Sequence, residues 1–110
     1  MTYKIRILRQ AQIEMREIQQ YIAVNLDNPT AAKRRTDLID KTIVSLRQNP
    51  KCFPLVRDDY LAAKGVRMAI AKNHLVFYVV REEIGTVSIL RVLSARRDWQ
   101  NLLRKDFLDD

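Results

Sequence analysis

The sequence predicts an α+β domain with the element order β-α-α-β-β-β-α. Three observations support this class: a short alternating segment at the start, two long amphipathic segments in the N-terminal half, and three segments rich in Val, Ile, Leu, Phe and Tyr in the C-terminal half. We expect an antiparallel-rich sheet with an N-terminal helical hairpin, together with the remaining helix, packed on one face. A chain of 110 residues suits one modest core, so residues 1–110 are expected to form a single domain.

The chain is expected to begin with a strand and an amphipathic helix. Residues 3–7 alternate between apolar and charged side chains, as a half-buried strand does. A helix over residues 10–25 follows, and its apolar face repeats at intervals of four and three residues: Ala11, Met15, Ile18 and Ile22. Glu14 belongs to the polar positions, where a carboxylate in an early turn complements the helix dipole.

A second helix is expected after a break near residue 27. Asn28 is the predicted N-cap and Pro29 the first helical residue, because Asn satisfies free backbone N–H groups and Pro needs none. Asn49-Pro50 is expected to end this helix. Its apolar stripe consists of Ala31, Ala32, Leu38, Ile39, Ile43 and Leu46. The two helices therefore form a hairpin inserted after the first strand.

Residues 51–64 are predicted to be irregular. Phe53 and Leu55 are expected to tuck under the sheet edge, while the pair Asp58-Asp59 is interpreted as a solvated turn. Cys52 is the single cysteine, so no internal disulfide can form, and we expect a partly buried thiol.

Three consecutive strands are predicted over residues 66–71, 74–81 and 86–93, joined by Lys72-Asn73 and by residues 82–85. These connections are short, so the strands are expected to form an antiparallel meander. Both faces of the middle segment are apolar, which is typical of a central strand. A short terminal helix over residues 96–107 is expected to follow.

Arginines stand where strand packing favours apolar side chains. Arg67 shares a face with Ala69 and Ala71, and these small residues indicate a shallow groove above the sheet. Arg91 is expected in an apolar row with Val87, Ile89 and Leu93. The alternative for Arg67 is a surface arginine on an edge strand. The alternative for Arg91 is an arginine that pairs with a carboxylate.

The composition limits the classes of function. The formal net charge of +7 favours encounters with polyanions such as nucleic acid, the ribosome or an acidic protein. We expect no metal and no cofactor, because no phosphate loop and no His/Cys/Asp cluster occurs in the sequence. His74, the single histidine, is predicted in a solvated turn remote from the end of the last strand. No apolar run is long enough for a membrane span and no signal peptide is evident, so a cytoplasmic protein without membrane contact is expected.

Motifs along nearly the whole chain resemble the RelE/ParE toxin superfamily. They are Gln20–Ala23, Asn28–Ala32, Ser45–Pro50, Gly65–Arg67, Leu75–Tyr78, Ile89–Leu93 and Ala95–Asp98. The resemblance implies a RelE/ParE-like fold and the toxin half of a bacterial type II toxin–antitoxin module. It also implies that a cognate antitoxin wraps around the toxin, and that operator DNA is contacted only through this antitoxin.

The resemblance leaves two activities open. ParE-like members inhibit DNA gyrase, whereas RelE-like members cut mRNA on the ribosome. A ribonuclease would draw on Arg67, Arg96 and Lys64, but the usual C-terminal Tyr or His is missing from the tail. We therefore expect the ParE-like activity, with the ribosome-dependent endoribonuclease as the alternative. The residues expected to contact the target or the antitoxin are Arg67, Arg91, Arg96, Arg97 and Trp99.

Overall fold

The order of elements along the chain is the predicted one with a short additional helix and a one-turn 3₁₀ helix at Glu82–Ile84 between the last two strands. A computed structural model of the protein describes residues 2–25 and 29–108. The helices and strands are β1 (Lys4–Ile7), α1 (Arg9–Asn25), α2 (Pro29–Ser45), α3 (Asp59–Ala63), β2 (Arg67–Ala71), β3 (His74–Arg81), β4 (Thr86–Ser94) and α4 (Trp99–Leu108). The predicted α+β class is confirmed. None of the helices within the described ranges is long and apolar enough to cross a membrane.

The four strands form one sheet in the order β1-β4-β3-β2. β2, β3 and β4 pair antiparallel, while β1 returns to pair parallel with β4. The predicted meander is therefore confirmed, and so is the central position of β3, because β3 lies between β2 and β4.

Both faces of the sheet are covered, which corrects the expectation that all helices share one face. The α1–α2 hairpin packs on the first face, as predicted, with Ile39, Ile43 and Tyr78 in its core. On the opposite face α3 and α4 bring Leu61 and Leu103 against the sheet. The physical reason lies in the sheet, because a central strand that is apolar on both sides needs a covering layer on each.

A β-bulge in β4 changes the expected alternation of side chains. Phe77 pairs with Arg91 but Tyr78 pairs with Ile89, so Leu90 is an extra residue in β4. Ile89 packs under the α1–α2 hairpin, whereas Leu93 packs under α4. The predicted single row through Val87, Ile89, Arg91 and Leu93 is therefore wrong.

The apolar face of α1 and the ends of α2 follow the prediction with two differences. Ala11 is buried and Met15 packs on the same core, but Glu14 is also buried rather than on the polar side. α2 begins at Pro29 as predicted and ends at Ser45, earlier than Asn49. The expected N-cap Asn28 lies outside the described residues, as do the side chains of Ile22 and Ala32.

The segment between α2 and β2, which was predicted to be irregular, contains the short helix α3. Phe53 packs against the hairpin-side core, but Leu55 is exposed, so the two do not both tuck under the sheet edge. Cys52 is exposed, so the expectation of a partly buried thiol is wrong.

Asp58 is not a solvated turn residue but the buried N-cap of α3. Its carboxylate accepts a hydrogen bond from the Leu61 N–H at 3.0 Å and from Arg104 Nε of α4 at 2.8 Å. The Leu61 N–H, with the Arg104 guanidinium, holds the pKa of the Asp58 carboxyl below its usual value. This capping residue therefore also links α3 to α4.

Candidate functional site

Arg67 lies at the start of the edge strand β2 and fixes the neighbouring loop. Its guanidinium Nη1 donates to the Phe53 carbonyl at 2.7 Å, and the side chain is half-buried. Ala69 and Ala71 on the same face are fully covered by the helical hairpin, so the predicted shallow groove above them is absent. The small side chains instead let α2 approach the sheet closely.

Tyr78 lies opposite Arg67 in β3, and its hydroxyl is held by a hydrogen bond to the loop before β2. Its hydroxyl donates to the Pro50 carbonyl at 2.6 Å, and its ring is fully buried. Burial raises the pKa of Tyr78 to about 12, so the phenol keeps its proton at neutral pH. Tyr78 therefore positions the loop and does not accept protons.

Arg91 joins three elements in the interior. It is 8% exposed, and its Nη1 donates to Glu14 Oε2 of α1 at 2.5 Å while its Nε donates to Asp106 of α4 at 2.9 Å. The second oxygen of Glu14 accepts from the Val92 N–H at 3.1 Å. Burial raises the pKa of the Glu14 carboxyl, although Val92 and Arg91 oppose the shift.

Because Glu14 and Asp106 both pair with the Arg91 guanidinium, this side chain has a structural role. Its expected alternative role, pairing with a carboxylate, is the arrangement that the structure shows. Sequence reasoning missed Glu14, although a signal was present: Ala11, Glu14, Met15 and Ile18 follow the spacing of one helix face.

Arg96 and Arg97 are exposed on the turn between β4 and α4. The Arg96 N–H donates to Ser94 Oγ at 3.3 Å and the Arg97 N–H donates to the Ser94 carbonyl at 3.0 Å, so Ser94 shapes this turn. No described carboxylate lies within ion-pair distance of either guanidinium. Both side chains are therefore available to a partner.

Trp99 opens α4 and packs mainly inward. Its ring lies 5.3 Å from that of Phe77, centroid to centroid, at an interplanar angle of 32°. The side chain is half-buried in the core between α4 and the sheet. Its main contact is therefore with the fold itself.

His74 lies beside the end of β4, so the expectation that it is remote from that end is wrong. It is the first residue of β3 and pairs with Ser94, two residues before Arg96. Its side chain is half-buried, and burial together with the charge of Arg35 lowers the pKa of the imidazole. His74 is therefore neutral at pH 7 and can accept a proton.

The sequence-predicted residues do not converge on one site. Arg67 pairs with Tyr78 of β3, whereas Ser94, two residues before Arg96, pairs with His74 of β3. These two positions of β3 are four residues apart, which is about 13 Å along the strand. Lys64, the C-cap of α3, is exposed with its Nζ 5.6 Å from the Tyr60 ring centroid. Within the described ranges no cluster of potential metal ligands occurs.

Sequence reasoning also missed a group of cations on α2 and the β2–β3 turn. These cations are Arg34, Arg35, Lys41 and Lys72. Together with Asp37 and Leu38 they line an open cleft of about 330 Å³. The signal was the basic run Lys33–Arg35 with Lys41 two helical turns after Arg34.

Comparison with protein families assigns almost the whole chain to one of them. Residues 5–99 match the family model described as ParE toxin of the type II toxin–antitoxin system parDE. No curated protein matches the chain significantly.

Solved structures share the fold at low sequence identity. A chain of the chromosomal ParDE toxin–antitoxin system from P. aeruginosa matches with a TM-score of 0.68 and 18% identity, covering 84% of this chain and 96% of that one. A chain of the toxin–antitoxin complex RelBE2 from Mycobacterium tuberculosis matches with a TM-score of 0.61 and 18% identity, covering 86% and 99%. A mutant E. coli RelE toxin in the free state matches with a TM-score of 0.60 and 16% identity, covering 87% and 86%.

Proposed function

Because this chain belongs to the ParE toxin family of type II toxin–antitoxin systems, we propose that it inhibits DNA gyrase and that a cognate antitoxin neutralises it. The observation that carries the proposal is the match of the family over residues 5–99, which includes every strand except the first residue of β1. The chain thus acts as a protein-binding inhibitor, a class that needs no catalytic set.

The geometry around Arg67 supports inhibition over RNA cleavage. Cleavage of RNA by its own 2′-hydroxyl needs a proton acceptor, a proton donor and charge stabilisation at one phosphate. Arg67 can stabilise charge, but its neighbour Tyr78 donates to Pro50 and has a pKa raised to about 12. The single histidine, His74, is four residue pairs away along β3.

Arg96 and Arg97 are the residues that we assign to the target contact. They are exposed, adjacent and free of described carboxylates, so they can meet an acidic surface without first breaking an internal ion pair. Arg91 and Trp99 support this turn from the interior, through α4, and Arg67 shapes the loop before β2.

The antitoxin is assigned to two clefts along the helical hairpin, each of which combines apolar and charged side chains. One cleft of about 600 Å³ lies between α1 and α2 and includes Met15 and Ile39. A second, of about 610 Å³, lies between β1 and the end of α2 and includes Ile5 and Val44. Apolar pockets retain a bound segment, while the net charge of +7 speeds its approach if that segment is acidic.

Induction of the toxin should stop growth by trapping gyrase on DNA. Purified toxin incubated with gyrase and supercoiled plasmid is expected to accumulate cleaved, gyrase-bound DNA, while mapping of mRNA 5′ ends after induction shows no new cuts. Co-expression of the small acidic protein that we expect to be encoded next to the toxin should restore growth. Codon-phased mRNA cuts within minutes, with gyrase unaffected, would contradict the proposal.

The position of His74 favours one second candidate, a RelE-like mRNA endoribonuclease on the ribosome. The imidazole is neutral, lies beside Arg35 and pairs with Ser94 next to Arg96, so a proton acceptor and cations share this end of the sheet. In this case mRNA cuts should appear on induction and be lost in a His74→Gln variant that still folds.

Replacing Arg96 with alanine should weaken toxicity without affecting folding. Loss of an interface arginine commonly costs about 2 kcal/mol of binding, which is roughly a 30-fold loss of affinity for the target. The free energy of unfolding should change by less than about 0.5 kcal/mol, because the side chain is exposed. Colony counts after induction and urea unfolding measure the two effects. Arg57→Ala, an exposed arginine before α3, is the matched control and should remain fully toxic.

A further inference from the structure

Four cations form a surface at one end of the molecule that the proposed function does not use. Arg34, Arg35 and Lys41 project from α2, and Lys72 projects from the β2–β3 turn, around a shared open cleft of about 330 Å³. We call these four residues the basic patch. The backbone of the β2–β3 turn is bonded to the start of the β4–α4 turn, since the Ala95 N–H donates to the Asn73 carbonyl at 2.9 Å. The basic patch therefore lies at the same end of the sheet as the turn that carries Arg96.

The charge of the basic patch is not neutralised within the protein. Asp37 is the one carboxylate that lines the cleft, against four cations. No ion pair connects any of the four to a carboxylate in the part of the chain that the structure describes. Burial and the charge of Arg35 both lower the pKa of the neighbouring His74 imidazole. The patch thus presents a concentrated positive potential to solvent.

Lys72 occupies its place in the patch against the preference of its backbone. Its φ of 59° is in the left-handed region, where glycine or asparagine is the usual residue of a two-residue turn. It is the one non-glycine residue with positive φ among residues 2–25 and 29–108. Strained backbone is often found at functional sites, so a lysine at this turn position supports a use for its ammonium group.

The chemistry of the patch favours phosphates of a duplex over other polyanions. A protein partner is held by apolar anchors in pockets, but Leu38 is the single apolar side chain among the six residues that line the cleft. A single strand is held by stacking on aromatic rings, and none of the six is aromatic. Duplex RNA is recognised through its shape and its 2′-hydroxyls as well as its phosphates, whereas four of the six residues that line the cleft are cations suited to phosphates.

The dimensions of the patch fit a duplex. Arg34 and Lys41 are two helical turns apart on one face of α2, about 10.5 Å along the axis. Over that length duplex DNA carries about six phosphate charges, so all four cations can find a partner.

We infer that the basic patch binds the phosphate backbone of double-stranded DNA directly. This goes beyond the proposed function and does not depend on whether gyrase or the ribosome is the target. It also differs from the contact with operator DNA through the antitoxin alone that the family resemblance implies.

The test is the binding of the purified toxin to a fluorescein-labelled 20-bp DNA duplex of mixed sequence, followed by anisotropy at several salt concentrations. Four phosphate contacts predict a slope of log K against log [salt] of about −3 to −4. Each of Arg34→Gln, Lys41→Gln and Lys72→Asn should reduce the magnitude of the slope by about 0.9, and the triple variant should lose at least roughly tenfold in affinity.

One control tests whether binding depends on the basic patch or on net charge alone, and a second tests whether the Lys72 variant folds. Arg81→Gln removes the same charge from an exposed residue at the other end of β3, seven positions or about 24 Å from His74, and should leave binding unchanged. Lys72→Asn should keep or raise the melting temperature, because asparagine tolerates the left-handed backbone.

Several results would overturn the inference. The first is a loss of DNA affinity in Arg81→Gln equal to that in the patch variants. The second is tighter binding of a 20-bp RNA duplex than of the DNA duplex. The third is a complex with an oligoglutamate of the same charge that is as tight as the DNA complex and is weakened as much by the patch substitutions. Unchanged DNA binding in the triple variant would also overturn it.

Discussion

Glu14→Ala is expected to destabilise the fold by about 3 kcal/mol, because it removes the buried partner of Arg91 and leaves this guanidinium with only the more exposed carboxylate of Asp106. The guanidinium of Arg91, which is 8% exposed in the intact protein, would lose its 2.5 Å contact with Glu14. The Val92 N–H would also lose its acceptor, the Glu14 carboxylate. No β1 residue can replace this acceptor, because β1 pairs with β4 only as far as Ile89. A loss of this size is a large part of the stability of a small domain, and the melting temperature should fall by at least about 12 °C.

Glu17→Ala on the exposed side of α1 is the matched control and should change the free energy of unfolding by less than about 0.5 kcal/mol. Urea unfolding followed by the fluorescence of Trp99, the single tryptophan, measures both variants. Glu14→Gln should fall between them, because the amide oxygen still accepts from Val92 but the charge is lost. A Glu14→Ala protein within 1 kcal/mol of the wild type, by contrast, would show that water replaces the carboxylate.

Trp99→Ala should cost about 3 kcal/mol of stability, the lower end for a large aromatic residue, since Trp99 is half-buried. The substitution removes the ring whose centroid lies 5.3 Å from that of Phe77 and loosens the start of α4. This helix carries Asp106, the partner of Arg91, and Arg104, the partner of Asp58, so its displacement weakens both ion pairs. Urea unfolding followed by circular dichroism measures the effect.

The conservative Trp99→Phe variant retains a ring against Phe77 and should keep most of the stability and the toxicity. Leu108→Ala, at an exposed position of the same helix, is the control for a surface change in α4 and should behave as the wild type. Trp99 was expected to contact the target or the antitoxin. That role would be supported if Trp99→Ala kept the wild-type stability and lost toxicity.

Much of the fold can be derived from local patterns. The alternating and β-branched segments predict β2, β3 and β4 to within one residue at each end, and the apolar spacing predicts both long helices. The central position of β3 follows from its two apolar faces. Such features depend on periodicity and on turn residues, which act over a few neighbouring positions.

The candidate site could be predicted in part. Arg96 and Arg97 are exposed after the last strand, as the motif order indicates. The pairing of Arg91 with a carboxylate was among the alternatives, but its partners Glu14 and Asp106 are 77 and 15 residues away in the chain. No local pattern encodes a contact over such a separation.

The tertiary structure alone decided which side of the sheet each late element covers and which distant residues meet. The bulge at Leu90 moves the following residues to the opposite face, because one extra residue reverses a period of two. Antiparallel pairing brings His74 beside Ser94, and the docking of α2 on the sheet brings Lys72 to Arg35. Local sequence determines the type of each element through short-range sterics and burial, whereas register and layer packing depend on the whole chain, since only the complete fold buries both faces of the sheet.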